Sequence, residues 1–283
     1  MKTCRTVASL RQALPAAAGA GIGLVPTMGA LHEGHLSLVR GSRRENDITV
    51  VSIFVNPAQF GPGEDLQRYP RDPERDSALL AGEGADVLFM PDASQMYPSP
   101  YRTYVDVTGL DEKLCGRSRP GHFRGVATIV LKLFNLVRPQ RAYFGQKDAQ
   151  QALIIRQLLR DLDLSVQLRV LPIVRDADGL ALSSRNIYLS ADQRRAALAL
   201  PRSLELARDM IAGGQRRSRV VRAAMEAEIA REPLLTVDYI AVVGLDDLEE
   251  AAEIVPGHAL VAAAVRAGQT RLIDNYLSGD LSC

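Results

Sequence analysis

The chain has little of what would place it outside the cytoplasm. Its 283 residues contain three scattered cysteines, Cys4, Cys115 and Cys283, which make no disulfide framework. No uninterrupted apolar run approaches the ~20 residues of a membrane span. The amino terminus lacks a charged leader followed by an apolar core. We therefore expect a soluble, cytoplasmic protein with no membrane partner.

A strong charge of either sign is also missing. The 34 lysines and arginines nearly balance 33 acidic residues, and the formal net charge is +1. Such a chain has no large field to steer it onto nucleic acid, so we expect no nucleic-acid partner, and any anion specificity must be local. With 47% hydrophobic residues, a chain of this length can bury about 75% of its unfolded surface and form two domains.

Apolar strand-like runs alternate with amphipathic helix-length runs over the first 174 residues. This alternation predicts a parallel sheet with crossover helices on both faces. We predict an α/β fold, a Rossmann-like doubly wound parallel sheet over 1–174, and a smaller C-terminal α+β lid domain over 175–283. The predicted strands cover 22–25, 48–55, 86–90, 141–144, 166–170, 236–243, 259–265 and 271–276. One predicted helix begins near 32. The others cover 74–81, 123–136, 148–162, 191–211 and 220–230.

The most informative segment is Pro-Thr-Met-Gly-Ala-Leu-His-Glu-Gly-His at 26–35, where an apolar strand gives way to a helix. Free N–H groups in the first helical turn, together with the helix dipole, favour a bound phosphate. His32 and His35 lie on one face of that turn and can donate hydrogen bonds to charge that develops on a phosphorus. The segment therefore predicts an ATP phosphate site.

These histidines have two other interpretations. They could form half of a zinc site, but the remaining histidines, His122 and His258, lie in unrelated contexts and the cysteines form no ligand-spaced pair, so we predict no metal site in the protein. They could also be ordinary surface residues of an amphipathic helix. That interpretation leaves the placement of Gly29 and Gly34 unexplained.

Polar residues also follow the second predicted strand. Asn56 and Gln59 can each donate and accept hydrogen bonds, which suits a small ligand that carries hydroxyls and a carboxylate. An Asx turn at the strand end is the alternative for Asn56. The segment 61–71 that comes next has the turn residues and charge of a mobile loop. It is either a lid that excludes water or only a long connection.

A strand, a turn and a helix start recur at 144–151. Lys147 would reach a phosphate, Asp148 would cap the helix or hold a ribose hydroxyl, and Gln151 would face the same crevice. At the proposed domain junction, Arg185 follows two serines and could clamp the triphosphate. A solvated lysine and a surface arginine beside a helix cap are the alternatives for these two segments.

Together these segments resemble the pantothenate synthetase family, ATP-dependent ligases that join pantoate to β-alanine. The similar segments are 26–35, 54–60, 69–71, 119–126, 144–151, 183–186 and 272–275. The resemblance implies that His35 is catalytic together with His32, Lys147 and Arg185. It also implies a substrate site formed by Pro26, Thr27, Asn56, Gln59 and Gln151. The implied ATP site comprises Met28, Gly29, Ala30, Leu31, His32, Glu33, Gly34, His35, Gly145, Gln146, Lys147, Asp148, Val174, Leu182, Ser183, Ser184 and Arg185.

Two positions depart from the pattern of the family. Gln146 stands where glutamate is expected, and Leu182 stands where methionine is common. Backbone groups can make the contacts of a turn, so these changes bear on nucleotide affinity more than on the type of reaction.

The resemblance further implies a two-step reaction through a pantoyl adenylate, with Mg²⁺ held mainly by the ATP phosphates, and a homodimer. Two other functions are alternatives to a ligase. A nucleotidyltransferase could use the same His-x-x-His turn, although Asn56, Gln59 and Gln151 favour a small hydroxy acid. A nucleotide-sensing or RNA-binding module would show a basic stripe or a broken set of site residues, and neither is present.

Overall fold

The computed structural model describes residues 1–14 and 19–282, so Cys283 lies outside the described residues. A six-stranded parallel sheet forms the first part of the molecule, in the order β1-β4-β3-β2-β5-β6. The predicted parallel sheet is confirmed, with the addition of an edge strand, β1. The strands are β1 (Lys2–Cys4), β2 (Ile22–Thr27), β3 (Ile48–Ile53), β4 (Val87–Phe89), β5 (Arg141–Gly145) and β6 (Gln167–Leu171).

Helices cover both faces of this sheet. Neighbouring residues of β2 show the arrangement, because Leu24 packs into one buried cluster and Val25 into another. Burial on both faces explains why the central strands are apolar without alternation. The helices are α1 (Val7–Ala13), α2 (Glu33–Glu45), α3 (Pro73–Gly82), α4 (Ala93–Met96), α5 (Cys115–Ser118), α6 (His122–Val137) and α7 (Ala149–Asp161).

A small antiparallel sheet in the order β7-β8-β9 forms the C-terminal domain together with three helices. Its elements are α8 (Ala191–Ala197), α9 (Ala199–Ala212), α10 (Ser218–Ile229), β7 (Leu235–Gly244), β8 (Ala259–Ala267) and β9 (Thr270–Ser278). The domain boundary at 174/175 stays a prediction. Across the described residues, every helix falls short of the length and apolarity that crossing a membrane demands.

The single helix predicted over 191–211 is wrong. The chain forms α8 and α9 instead, which meet at Leu198. Pro201 gives the physical reason: its nitrogen carries no hydrogen, and its ring clashes with the carbonyl four residues earlier, so a continuous helix cannot pass through it. In the first turn of a new helix the same proline is tolerated.

Strand β2 lies between β3 and β5, so the strand order reverses at β2, and this position is the switch point of the sheet. The segments that follow β2 and β5 therefore lie side by side at the carboxyl edge. In open α/β sheets ligands bind at this position. The two motifs singled out in the sequence, at 26–35 and 144–151, are these two segments.

Candidate active site

The turn after β2 owes its shape to Gly29. Its φ is +82°, and a Cβ atom there would lie 3.0 Å from both Asp76 Oδ2 and Ile53 Cγ2. Thr27 supports the turn from the strand side, because its hydroxyl donates to the Ser52 carbonyl at 2.8 Å and accepts the Gly29 N–H at 3.2 Å. The chain then enters α2 at Glu33, with His32 in the N-cap position.

His32 and His35 form a close pair at the start of α2, with ring centroids 4.1 Å apart. The backbone N–H of His32 donates to His35 Nδ1 at 3.3 Å, which leaves the proton of the neutral His35 ring on Nε2. Gly34 makes room for the pair, since a Cβ there would lie 3.0 Å from the His32 ring.

Both imidazoles are neutral near pH 7. Burial, with the nearby Lys147 charge adding to it, lowers the pKa of His32 to about 4. Burial also lowers the pKa of His35 well below its usual value, and His32 and Lys147 add to the effect. The pair can therefore donate hydrogen bonds to a phosphate without carrying a positive charge, and the cation of this site is Lys147.

Ten of the 22 predicted site residues meet around a cavity of about 110 Å³. Lys147 lies at its edge, and its Nζ donates to the Leu182 carbonyl at 3.2 Å. The strand ends therefore bring together the motifs as the sequence predicted. The predicted residues that line this cavity are Pro26, His32, Gly34, His35, Gly145, Lys147, Asp148, Gln151, Val174 and Leu182.

A second and larger cavity, of about 1100 Å³, adjoins the first, because Lys147, Asp148 and Gln151 line both. Ser183 and Arg185, which precede α8, line the larger one. The two cavities together offer space for a nucleotide beside two smaller molecules.

A hydrogen bond from Asn56 positions the side chain of Gln59. The Asn56 side chain is 1% exposed. It donates to Gln59 Oε1 at 3.1 Å and to the Gly125 carbonyl at 3.0 Å, and its Oδ1 accepts from the Ala58 N–H and from the Tyr97 hydroxyl. This arrangement gives Asn56 a positioning role towards Gln59, whose Nε2 lies 2.8 Å from Met28 Sδ.

Several predicted site residues line neither cavity. Glu33 pairs with Arg40 on the outer side of α2, and Leu31 is buried in the core. Any contact of Glu33 with a nucleotide in this cavity would use its backbone groups. The predicted residues outside the described linings are Thr27, Met28, Gly29, Ala30, Leu31, Glu33, Asn56, Gln59, Gln146 and Ser184.

The sequence predicted no role for Asn275, which joins the C-terminal domain to the turn that carries Gln146 and Lys147, called the lysine turn below. Its amide donates to the carbonyls of Gln146 and Lys147 at 2.9 and 3.1 Å, and it accepts from Gln146 Nε2 at 3.1 Å. Its neighbour Asp274 forms two hydrogen bonds to Arg175, at 2.6 and 3.0 Å. The available signal in the sequence was the Asp-Asn pair that interrupts the apolar residues Leu272, Ile273 and Leu277 of β9.

Arg119 and His122 form a second network that the sequence did not reveal. Arg119 donates twice to the Glu64 carboxylate, at 2.8 and 2.6 Å, and lies 3.0 Å from His122 Nε2. His122 Nδ1 in turn donates to the Gln59 carbonyl at 2.8 Å. The network thus fixes the backbone that carries Gln59.

Comparison with known proteins identifies the family of the chain. The model of the Pantoate-beta-alanine ligase family matches residues 2–277. The chain belongs to this family. It is therefore a ligase. A pantothenate synthetase of Moorella thermoacetica is 56% identical over 279 residues, which cover 98% of each chain.

Solved structures of the family have the same fold. The pantothenate synthetase of Thermus thermophilus superposes with a TM-score of 0.94 at 48% identity, over 99% of this chain and all of that one. A pantoate-beta-alanine ligase of Francisella tularensis, complexed with beta-gamma ATP and beta-alanine, gives a TM-score of 0.80 at 32% identity, over 98% of each chain.

Proposed function

We propose that the chain condenses pantoate with β-alanine at the expense of ATP, through a pantoyl adenylate, and releases AMP and pyrophosphate. The observation that carries this proposal is the meeting of His32, His35, Lys147 and Gln151 around one cavity at the switch point of the sheet. Membership of the ligase family supports it, as does the Francisella tularensis relative, whose structure contains a nucleotide and β-alanine.

In the first step the pantoate carboxylate attacks the α-phosphorus of ATP. Two anions must approach each other, so cationic and hydrogen-bonding groups are needed at the reacting centre. Lys147 supplies a positive charge, and the neutral imidazoles donate hydrogen bonds to the developing negative charge. Arg185 would meet the triphosphate from the side of the C-terminal domain.

Gln59 and Gln151 would hold the pantoate. Gln59 would also help to seat β-alanine. The side-chain amides can accept from the pantoate hydroxyls and donate to its carboxylate. Magnesium would come with ATP and be held mainly by its phosphates, because Mg²⁺ in such sites binds phosphate oxygens and keeps several waters. Asp148, which lines both cavities, is a carboxylate that would be available to the ion.

In the second step the β-alanine amine attacks the activated carbonyl and AMP leaves. The mixed anhydride would hydrolyse if water reached it. The segment 61–71 and the C-terminal domain would shield it, and the contacts of Glu64 and Asp65 with Arg119 and Arg185 support this role of the segment. Further features of the proposal are a cytoplasmic location and a homodimer.

One assay distinguishes this function from a nucleotidyltransferase and from a nucleotide sensor. The purified protein is incubated with ATP, pantoate and β-alanine, and AMP, pyrophosphate and amide product are measured. A ligase also catalyses ATP–pyrophosphate exchange that depends on pantoate alone. Nucleotide retained on the acceptor would identify a transferase, and ATP binding without turnover would identify a sensor.

A further inference from the structure

A buried carboxylate contacts the turn between β2 and α2, residues 28–32. Asp76, on α3, is 1% exposed and lines neither of the two cavities described above. Its Oδ2 accepts the backbone N–H of Ala30 and its Oδ1 accepts the backbone N–H of Leu31, both at 2.8 Å. The residues are 46 and 45 positions apart in the chain, so no local sequence pattern reveals the contact.

The turn needs such a partner because its backbone is strained. Gly29 and Ala30 adopt φ values of +82° and +51° in succession, and the second is a residue with a side chain. A non-glycine residue persists in this region only when its surroundings hold it there. A carboxylate that accepts two consecutive N–H groups fixes two peptide planes at once.

The chemistry of the contact requires a carboxylate. An ionised carboxylate is acceptor-only at both oxygens, whereas an amide of the same shape would turn an NH₂ group towards one of the two N–H donors. Arg75 adds a hydrogen bond from the exposed side: its guanidinium donates to the Leu31 carbonyl at 3.1 Å. The turn is thus clamped at both its N–H and its carbonyl groups.

We propose that Asp76 is a positioning residue for nucleotide binding: it fixes the turn that presents His32 to the ATP cavity. This inference rests on the proposed function. It also changes the picture drawn from the sequence, because the N–H groups of Ala30 and Leu31 are bound to protein and do not face a phosphate. The donors that remain for phosphate include the two imidazole rings and Lys147, whereas the backbone N–H of His32 donates to His35 Nδ1.

The test is Asp76→Asn, which keeps the shape and removes one acceptor. We expect the KM and the calorimetric Kd for ATP to rise by at least about tenfold, since small displacements of binding groups carry costs of this order. The KM for pantoate should change by less than about twofold, because Gln59 and Gln151 lie on other segments.

The matched control is Asp72→Ala. Asp72 caps the same helix by accepting the Arg75 N–H at 3.0 Å, and among the described residues its side chain makes no hydrogen bond to the turn. This variant should lower the melting temperature and leave the Kd for ATP unchanged. If Asp72→Ala weakens ATP binding as much as Asp76→Asn, helix stability alone explains the effect and the inference is overturned.

A second variant covers the case in which Asp76→Asn does not fold. Arg75→Ala removes an exposed side chain that holds the same turn, and the Kd for ATP should rise by about threefold. An unchanged Kd in this variant, or in folded Asp76→Asn, would overturn the inference. Calorimetry reads ATP binding without turnover, so a wild-type protein that fails to make the amide would refute the proposed function and still leave this inference testable.

Discussion

Arg185 donates to Asp65 through two parallel hydrogen bonds, both 2.9 Å long. The guanidinium proposed to meet the triphosphate is thus already neutralised by a carboxylate of the segment 61–71. The Tyr69 and Ser184 hydroxyls, 3.2 Å apart, add a second contact between this segment and the segment that carries Arg185. ATP must therefore compete with Asp65 for the charge of Arg185, although Nη1 of the guanidinium takes no part in these two bonds.

The first prediction concerns this ion pair. Asp65→Asn removes the competing charge, so the Kd for ATP should fall by about threefold, as expected for a modest change in one charged contact. Calorimetric titration measures the change. Asp192→Asn, the same substitution at an exposed site on α8, is the control. An unchanged or weaker affinity in Asp65→Asn would show that Arg185 does not bind the nucleotide.

The second prediction concerns the reacting centre. His35→Ala and Lys147→Ala should each lower kcat/KM by about a hundredfold or more, since removing one preorganised donor commonly costs ~3 kcal/mol of transition-state stabilisation. Circular dichroism should show an intact fold. Lys2→Ala, on the exposed edge strand β1, should leave the rate unchanged. Near-normal turnover in either site variant would remove that residue from the catalytic group.

The third prediction concerns the support of Gln59. A Cβ on Gly125 would lie 2.3 Å from the Ala58 carbonyl oxygen and 2.6 Å from the Gln59 nitrogen, both backbone atoms that cannot rotate away. Gly125→Ala should therefore shift the turn Pro57–Gln59 and raise the KM for pantoate by about tenfold, while the Kd for ATP stays constant.

Overpacking of this kind also costs about 1–3 kcal/mol of stability. Gly82→Ala is the control, because a Cβ at Gly82 meets no atom of the described residues within 4 Å. If Gly125→Ala raised the KM for ATP and for pantoate equally, the damage would be general and the proposed support of Gln59 would be refuted.

The fourth prediction concerns stability against pH. Burial, with Arg119 adding to it, lowers the pKa of His122 to about 4. An unfolded histidine titrates near ~6.5, so the unfolded chain binds more protons between these values, and the free energy of unfolding should fall as the pH drops from about 6.5 towards 4. Denaturant unfolding at several pH values measures this slope.

His122→Asn isolates the contribution of that histidine, since the asparagine amide can still donate towards the Gln59 carbonyl. In the same window its slope should be smaller than that of the wild type by up to one proton, about 1.4 kcal/mol per pH unit. Parallel slopes would mean that His122 does not titrate on unfolding.

The parts of the fold that repeat a local pattern could be predicted. Apolar strands that end in turn residues gave the central sheet, and parallel strands must bring the segments after β2 and β5 to one edge. This is why His32, His35, Lys147 and Gln151 could be placed together without coordinates. Strand β1 escaped prediction because three residues carry no periodicity.

The supports of the site could not be predicted because each joins distant segments. Asp76 reaches the turn from another helix, and Asn275 reaches the lysine turn from 128 and 129 positions away. A buried aspartate on an amphipathic helix has the same local sequence context as an exposed one. Only the packing of α3 against the turn turns its carboxylate inwards.

The tie between Asn275 and the backbone of Gln146 and Lys147 has a practical consequence. A small molecule bound between β9 and this turn would break these hydrogen bonds. It would displace Lys147 without occupying the cavity of about 110 Å³. Because the coupling between two binding sites is reciprocal, such an inhibitor and ATP would weaken each other's binding although they occupy different places in the enzyme.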